Sequence, residues 1–150
     1  DLIDIGIENG EVHNALFDNN SYDRLRLLGQ ALQNLKLFPE YNTSYITLSQ
    51  KELDTYNYVK GDTEGIVNYG LTIKGIIFTA IFIEHRDENI IKISFRSQGN
   101  FDVNQFAREH FSGGGHINAA GGKSYLSLRE TVNKFENIIK TITINNDESK

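Results

Sequence analysis

The chain has 150 residues, with 39% hydrophobic residues, 23% charged residues and a formal net charge of −5. This composition is typical of one globular domain with a substantial core, and the negative charge argues against a protein that grips long duplex nucleic acid through a broad basic face. Cysteine is absent, which excludes disulfides and thiolate metal sites. No apolar run reaches the roughly 18 residues of a membrane span, and we expect a cytoplasmic protein without membrane contact.

The first half of the chain predicts helices and one strand. Four leucines recur at helical spacing within residues 21–38, namely Leu25, Leu28, Leu32 and Leu35. Ser21 is the predicted N-cap of this helix, and Pro39 is predicted to end it. The segment NTSYITLS reads as a strand, and SQKE (residues 49–52) is a capping box that begins a second helix. The segment GDTEGIVNYGL is predicted to be rich in turns or to form a short helical piece.

The second half predicts a β-hairpin followed by helices. The segment IIFTAIFIEHRDENIIKISFRS reads as two strands with HRDEN as their turn. FDVNQFAREHF is a predicted helix with Asp102 as its cap, and SLRE (residues 127–130) is a capping box for the last helix. Residues 145–150 should form a flexible tail. Because strands and helices interleave, we predict an α/β fold: a mixed β-sheet with helices packed on it, containing one antiparallel hairpin.

The segment FSGGGHINAAGG, residues 111–122, needs a specific explanation because glycine costs backbone entropy in regular structure. We predict that Gly113, Gly114 and Gly115 form a turn whose amides cradle an anion. HINAA would then begin a helix, with His116 in its first turn and able to donate a hydrogen bond to that anion. The alternative is a tight structural turn with a capping histidine.

Arg96 lies at the end of the strand KISFRS, where an arginine can donate two hydrogen bonds to a phosphate. Ligands of α/β sheets gather at such strand ends, although a surface ion pair would also explain this arginine. Asp62 and Glu64 form a carboxylate pair, but no histidine lies near them in sequence to complete a metal site, and we favour a capping role in a turn. Phe111 could stack on a base, but core packing is the preferred interpretation.

The remaining histidines have no partner in the sequence that predicts chemistry. We interpret them as surface or packing residues: His13, His85 and His110.

FSGGGHINAAGG resembles the GGGH-x-x-A-A-G signature of the DHH-associated domain, the C-terminal substrate-binding domain of DHH phosphoesterases. KGDTEGIVNYGLTIKG, KISFRS and FDVNQFAREHF follow in the order found in the branch that degrades very short RNA and dephosphorylates phosphoadenosine phosphate (pAp). The resemblance extends over about residues 20–140. It predicts residues 21–144 to be this domain and residues 1–20 to be a linker from an N-terminal catalytic domain.

The resemblance also implies which residues bind the substrate and which domain holds the catalytic metal ions. The residues it assigns to phosphate and nucleotide are Arg96, Gly113, Gly114, Gly115 and His116, with Ser97 and Asn118 as further contacts. In this family two Mn²⁺ ions lie in the N-terminal domain, and the active site is the cleft between the two domains. The chain contains no Asp-His-His motif. We therefore expect a C-terminal fragment that needs the DHH domain as its partner. It should bind short single-stranded RNA or pAp, hold no cofactor of its own and not cleave.

Three alternatives remain open at the level of sequence. The parent enzyme could be a cyclic-dinucleotide phosphodiesterase that uses the same domain for its substrate. The chain could also be a non-catalytic RNA-binding or dimerisation module, like the related domain of alanyl-tRNA synthetases, although the net charge of −5 argues against this. Finally, an unrelated fold with a structural glycine turn would bind no nucleotide.

Overall fold

The computed structural model describes residues 21–142 and 144. The strands are β1 (Lys36–Phe38), β2 (Thr43–Leu48), β3 (Phe78–His85), β4 (Ile90–Ser97), β5 (Gly114–His116) and β6 (Ala119–Ser124). The α-helices are α1 (Tyr22–Gln33), α2 (Gln50–Thr55), α3 (Val103–His110) and α4 (Leu128–Ile139). Short 3-10 helices lie at Pro39–Tyr41, Ile66–Thr72 and Arg86–Glu88. No helix in these described ranges is both long and apolar enough to cross a membrane.

One six-stranded sheet organises the domain, in the order β1-β2-β3-β4-β6-β5. The β2–β3 pair is parallel and every other neighbouring pair is antiparallel. The predicted fold class, a mixed sheet with helices packed on it, is confirmed. The predicted hairpin is β3–β4, but β1–β2 and β5–β6 add two further antiparallel connections that were not predicted from the sequence.

The two faces of the sheet bury different cores. Alternate residues of β3 point to opposite sides, so that Phe78 and Phe82 join the aromatic cluster under α3 and α4, whereas Ile81 and Ile83 join an aliphatic cluster with α1 and α2. The main strand contacts of α3 and α4 are with β3, β4, β5 and β6, whereas those of α1 and α2 are with β2 and β3. The 3-10 helix Ile66–Thr72 contacts β2, β3 and β4, whereas neither α1 nor α2 makes a main contact with β4 or β6.

The local capping signals are confirmed. Ser21 and Asp102 accept hydrogen bonds at the N-termini of α1 and α3. Both predicted capping boxes form both of their hydrogen bonds, between Ser49 and Glu52 at the start of α2 and between Ser127 and Glu130 at the start of α4. The predicted linker (residues 1–20), the whole of the predicted tail (residues 145–150) and His13 lie outside the described residues.

The first helix is shorter than predicted, and its buried stripe is different. It ends at Gln33, because Lys36–Phe38 pairs antiparallel with β2 as an edge strand. Leu25 is 51% exposed, and the fully buried positions are Leu27 and Ala31. Pro39 begins a 3-10 helix instead of ending α1. The prediction for this segment is wrong because the pairing of Lys36–Phe38 with β2 stabilises a strand where the leucine spacing and local propensity favour a helix.

Candidate functional site

The glycine stretch forms a β-hairpin, and the predicted helix at HINAA is wrong. Residues 114–116 are edge strand β5, and the chain returns as β6 at Ala119. Two of the three glycine amides are used within the chain. The Gly113 amide donates to the Ala107 carbonyl at 3.2 Å, and the Gly115 amide donates to Asn104 Oδ1 at 2.8 Å. These two amides therefore do not form the predicted anion cradle.

Close backbone packing explains why glycine is required at Gly113 and Gly115. A Cβ at Gly113 would lie 1.9 Å from the Gly121 carbonyl oxygen, and a Cβ at Gly115 would lie 2.6 Å from the Ala119 carbonyl oxygen. Real side chains do not approach backbone atoms this closely, so the hairpin needs glycine at both positions. The local geometry at Gly113 and Gly115 therefore agrees with the alternative hypothesis, in which the glycines serve a tight structural turn.

Arg96 and His116 belong to one row across three strands. Arg96 pairs with Ala119, and Ala119 pairs with His116. Directly paired residues of antiparallel strands project from the same face, about 5 Å apart per step, so the row places the two side chains on one face about 10 Å apart. Ala119 between them carries only a methyl group, which leaves room for a ligand group between the guanidinium and the imidazole.

The two polar side chains of this row are differently exposed. Arg96 is half-buried, and its Nη1 donates to the Phe95 carbonyl at 2.9 Å. His116 is exposed, and its imidazole makes no hydrogen bond or ion pair to any residue in the described ranges. Arg96 likewise has no carboxylate partner among the described residues. The alternative of a surface ion pair for Arg96 therefore has no support in this part of the chain.

Ser97 and Asn118 hold the hairpin turn against the end of β4. The buried Ser97 hydroxyl donates to the Phe101 carbonyl at 2.6 Å and accepts from Asn118 Nδ2 at 2.9 Å. The Ser97 amide donates to the Asn118 carbonyl at 3.1 Å. These bonds maintain the register in which His116 and Arg96 share a row. Within the described structure both side chains act as positioning residues for that row.

The face around this row is basic. The alternation of KISFR places Lys92, Ser94 and Arg96 on one side of β4. The paired positions of β6 are Lys123, Gly121 and Ala119, in the same order. We name these six residues the open strip. None of them carries a carboxylate, although the chain has more acidic than basic residues. Lys92 and Lys123 were not among the residues predicted from the sequence, although the two-residue period of KISFR places Lys92 on the same face as Arg96.

The other candidate residues have structural roles. Asp62 is buried and closes a turn by accepting from the Val59 amide at 3.0 Å, in agreement with the preferred interpretation. No group of three His, Cys, Asp or Glu residues that could hold a metal ion lies within residues 21–142 or at 144. Phe111 is 1% exposed and belongs to the aromatic core, which confirms core packing.

Two histidines pack against aromatic rings, in agreement with their interpretation as packing residues. The ring of His110 lies 5.0 Å from that of Phe106, and the ring of His85 lies 6.2 Å from that of Tyr58. Burial lowers the pKa of His85, and the nearby Lys92 ammonium lowers it further.

Comparison with known proteins assigns the family. The family model described as "DHHA1 domain" matches residues 42–143, from the start of β2 to beyond the end of α4. The chain belongs to the DHHA1 domain family. This result confirms the resemblance of the glycine signature to the DHH-associated domain of DHH phosphoesterases.

The relatives of this DHHA1 domain are longer proteins. It is 31% identical over 121 residues to a probable bifunctional oligoribonuclease and PAP phosphatase NrnA from Streptococcus mutans, and the match covers 81% of this chain and 37% of that protein. An exopolyphosphatase-related protein from Bacteroides fragilis is 39% identical and superposes with a TM-score of 0.82 over 93% of this chain and 41% of its own.

A more distant structure shares the fold alone. The pGpG-specific phosphodiesterase PggH from Vibrio cholerae is 12% identical, with a TM-score of 0.56 over 79% of this chain and 38% of its own. The chain thus spans about two fifths of the length of each of these three proteins.

Proposed function

We propose that this DHHA1 domain is the substrate-binding part of a DHH phosphoesterase that hydrolyses short oligoribonucleotides and pAp. The observation that carries the proposal is the row of Arg96, Ala119 and His116 on an open, basic face of the sheet. The name of the Streptococcus mutans relative, which is 31% identical, supports this choice of substrate.

The chemistry of the row fits a nucleotide phosphate. A guanidinium can donate two parallel hydrogen bonds to phosphate oxygens, and charge-assisted bonds of this kind are roughly twice as strong as neutral ones. His116 can donate a further hydrogen bond from the opposite side of the same anion. Ala119 forms the base of the site, and its small side chain lets the phosphate approach the sheet between the two donors.

Removing either donor should weaken binding of pAp. We expect Arg96→Ala and His116→Ala each to lower the binding free energy by about 1–3 kcal/mol, the contribution of a hydrogen bond to a charged group. Isothermal titration calorimetry of the chain with pAp at one fixed salt concentration measures this, because phosphate binding depends strongly on salt.

The control for these variants is Lys51→Ala, which removes an exposed cation on α2, away from the open strip. It should change the affinity for pAp less than twofold. Equal affinities for the wild type, Arg96→Ala and His116→Ala, with all three folded by circular dichroism, would contradict the assignment.

Hydrolysis should require a second domain. Two-metal phosphoesterases clamp the attacking and leaving oxygens between ions about 3.5–4 Å apart, and hard ions such as Mn²⁺ need several converging carboxylate or imidazole ligands. The residues described here do not fit such a centre, because no group of three suitable side chains converges in them. We therefore propose that the Mn²⁺ ions belong to the N-terminal DHH domain.

The 150-residue chain with added Mn²⁺ should release no phosphate from pAp and no mononucleotide from short RNA. Activity should appear when a DHH domain from a homologous full-length enzyme is fused before it, with chromatography of the products as the readout. Metal-dependent turnover by the isolated chain, abolished by Asp62→Ala or Glu64→Ala, would show that a catalytic site has been mistaken for a turn.

A further inference from the structure

The open strip has a second group of cations at its other end. Lys92 and Lys123 are direct cross-strand partners, both exposed, and they project from the same face as Arg96. Arg96 follows Lys92 by four positions along β4, which corresponds to about 13 Å at the rise of an extended strand. The strip therefore presents two positive ends with the small residues Ser94 and Gly121 between them.

The pairing of Lys92 with Lys123 costs stability, since like charges directly opposite each other on a sheet repel. Glu88 offsets part of this repulsion through an ion pair with Lys92 at 3.0 Å, and Lys92 lowers the pKa of the Glu88 carboxyl. Both partners of that pair are more than half exposed, so it is weak. Lys123 has no carboxylate partner in the described residues. An anion bound between the two ammonium groups would relieve the repulsion.

An exposed aromatic ring adjoins this end of the strip. Tyr125 is 71% exposed, and its ring centroid lies 6.0 Å from Lys123 Nζ. Lysines beside an exposed aromatic ring are a combination with which proteins bind single-stranded nucleic acids, because the phosphates pair with the cations and a base stacks on the ring.

Gly121, in the middle of the strip, is not required by the described fold. A Cβ there would meet only the Ile93 carbonyl oxygen, at an ordinary 3.5 Å. The next residue differs, since a Cβ at Gly122 would lie 2.9 Å from Phe111 Cβ on the core side. A glycine inside a strand weakens it, and one without a packing reason is typical of a place where a ligand approaches the backbone.

We infer that Lys92, Lys123 and Tyr125 form a second phosphate-and-base subsite, so that the open strip binds an oligoribonucleotide lengthwise from the Arg96 end to the Lys92 end. This inference rests on the proposed function, which assigns the Arg96 end to a phosphate. A stacked strand advances about 3.4 Å per nucleotide, so about 13 Å corresponds to roughly four stacked nucleotides and to fewer in an extended strand. A mononucleotide such as pAp uses the Arg96 end alone.

The test compares two probes on the same variants, the tetranucleotide pApApApA and pAp. In Lys92→Ala/Lys123→Ala, the affinity for pApApApA should fall about tenfold, whereas the affinity for pAp should change less than twofold. The slope of log affinity against log salt for the tetranucleotide should also become shallower by about 1.4, the value for two lost phosphate contacts on a single strand. The control, Lys51→Ala/Lys74→Ala, removes the same charge from exposed positions outside the strip and should leave both affinities within twofold.

A second variant tests the strip without changing charge. Gly121→Val should fold with a melting temperature no lower than that of the wild type, because β-branched residues favour strands, and should bind pApApApA at least fivefold more weakly. Wild-type affinity for pApApApA in both Lys92→Ala/Lys123→Ala and Gly121→Val would overturn the inference while leaving pAp binding and the proposed function intact. A wild-type chain that binds neither probe would overturn the proposed function itself.

Discussion

Replacing Phe135 with alanine should lower the free energy of unfolding by about 3–5 kcal/mol, the range for deleting a fully buried aromatic ring. Phe135 is 0% exposed and anchors α4 to the sheet. Its ring centroid lies within 6.5 Å of those of six other aromatic residues, namely Tyr45, Phe78, Phe82, Phe95, Phe106 and Phe111. Because these rings come from β2, β3, β4, α3 and the residue after α3, their close packing resists collapse into the cavity, and the cavity cost adds to the lost burial.

Urea denaturation followed by circular dichroism measures this effect. Tyr125→Ala is the matched control, since it removes an aromatic ring that is 71% exposed and should change the free energy of unfolding by less than about 0.5 kcal/mol. A Phe135→Ala loss as small as that of the control would show that α4 is not anchored to the aromatic core as described.

Replacing Gly113 with alanine should lower the free energy of unfolding by about 3 kcal/mol, the upper part of the range for overpacking. The new Cβ would lie 1.9 Å from the Gly121 carbonyl oxygen and 2.7 Å from Gly122 Cα, and both are backbone atoms that cannot rotate away. Relief requires β5 to move away from β6. That movement displaces His116 from the row with Arg96, so the affinity for pAp should fall as well.

The matched control for Gly113→Ala lies in the neighbouring strand. Gly121→Ala adds the same methyl group where the nearest atom is 3.5 Å away, and it should leave the free energy of unfolding within about 0.5 kcal/mol of the wild type. Thermal and urea denaturation of both variants decide the comparison. A Gly113→Ala variant as stable as Gly121→Ala would mean that β5 does not pack against β6 in the described register.

The caps and the central hairpin were predictable because their signals are local. Ser49 with Glu52, and Ser127 with Glu130, exchange hydrogen bonds across three residues, so the motif contains both partners. The β3–β4 hairpin joins strands that are adjacent in the chain, with the turn between them visible in the sequence. The length of α1 was not predictable in the same way, because it depends on the pairing of Lys36–Phe38 with β2.

The candidate site was only half visible in the sequence. The signature FSGGGHINAAGG identified the family and marked His116, and the end of KISFRS marked Arg96. The expectation that the glycines open a helix was wrong, because the reason for Gly113 and Gly115 is the close approach of β6. That contact depends on where β6 lies, which no spacing within the motif specifies.

The sequence by itself determined the family, the fold class, the helix caps and the identity of the two residues that carry the proposed phosphate site. Only the tertiary structure decided that Arg96, Ala119 and His116 form one row and that Lys92 and Lys123 stand together at the other end of the same face. The physical reason is that caps and alternation arise from bonds between near neighbours in the chain. The row arises from the register of β4 against β6, which are separated in the chain by α3 and β5. A shift of one residue in that register would place Arg96 opposite a residue of the other face.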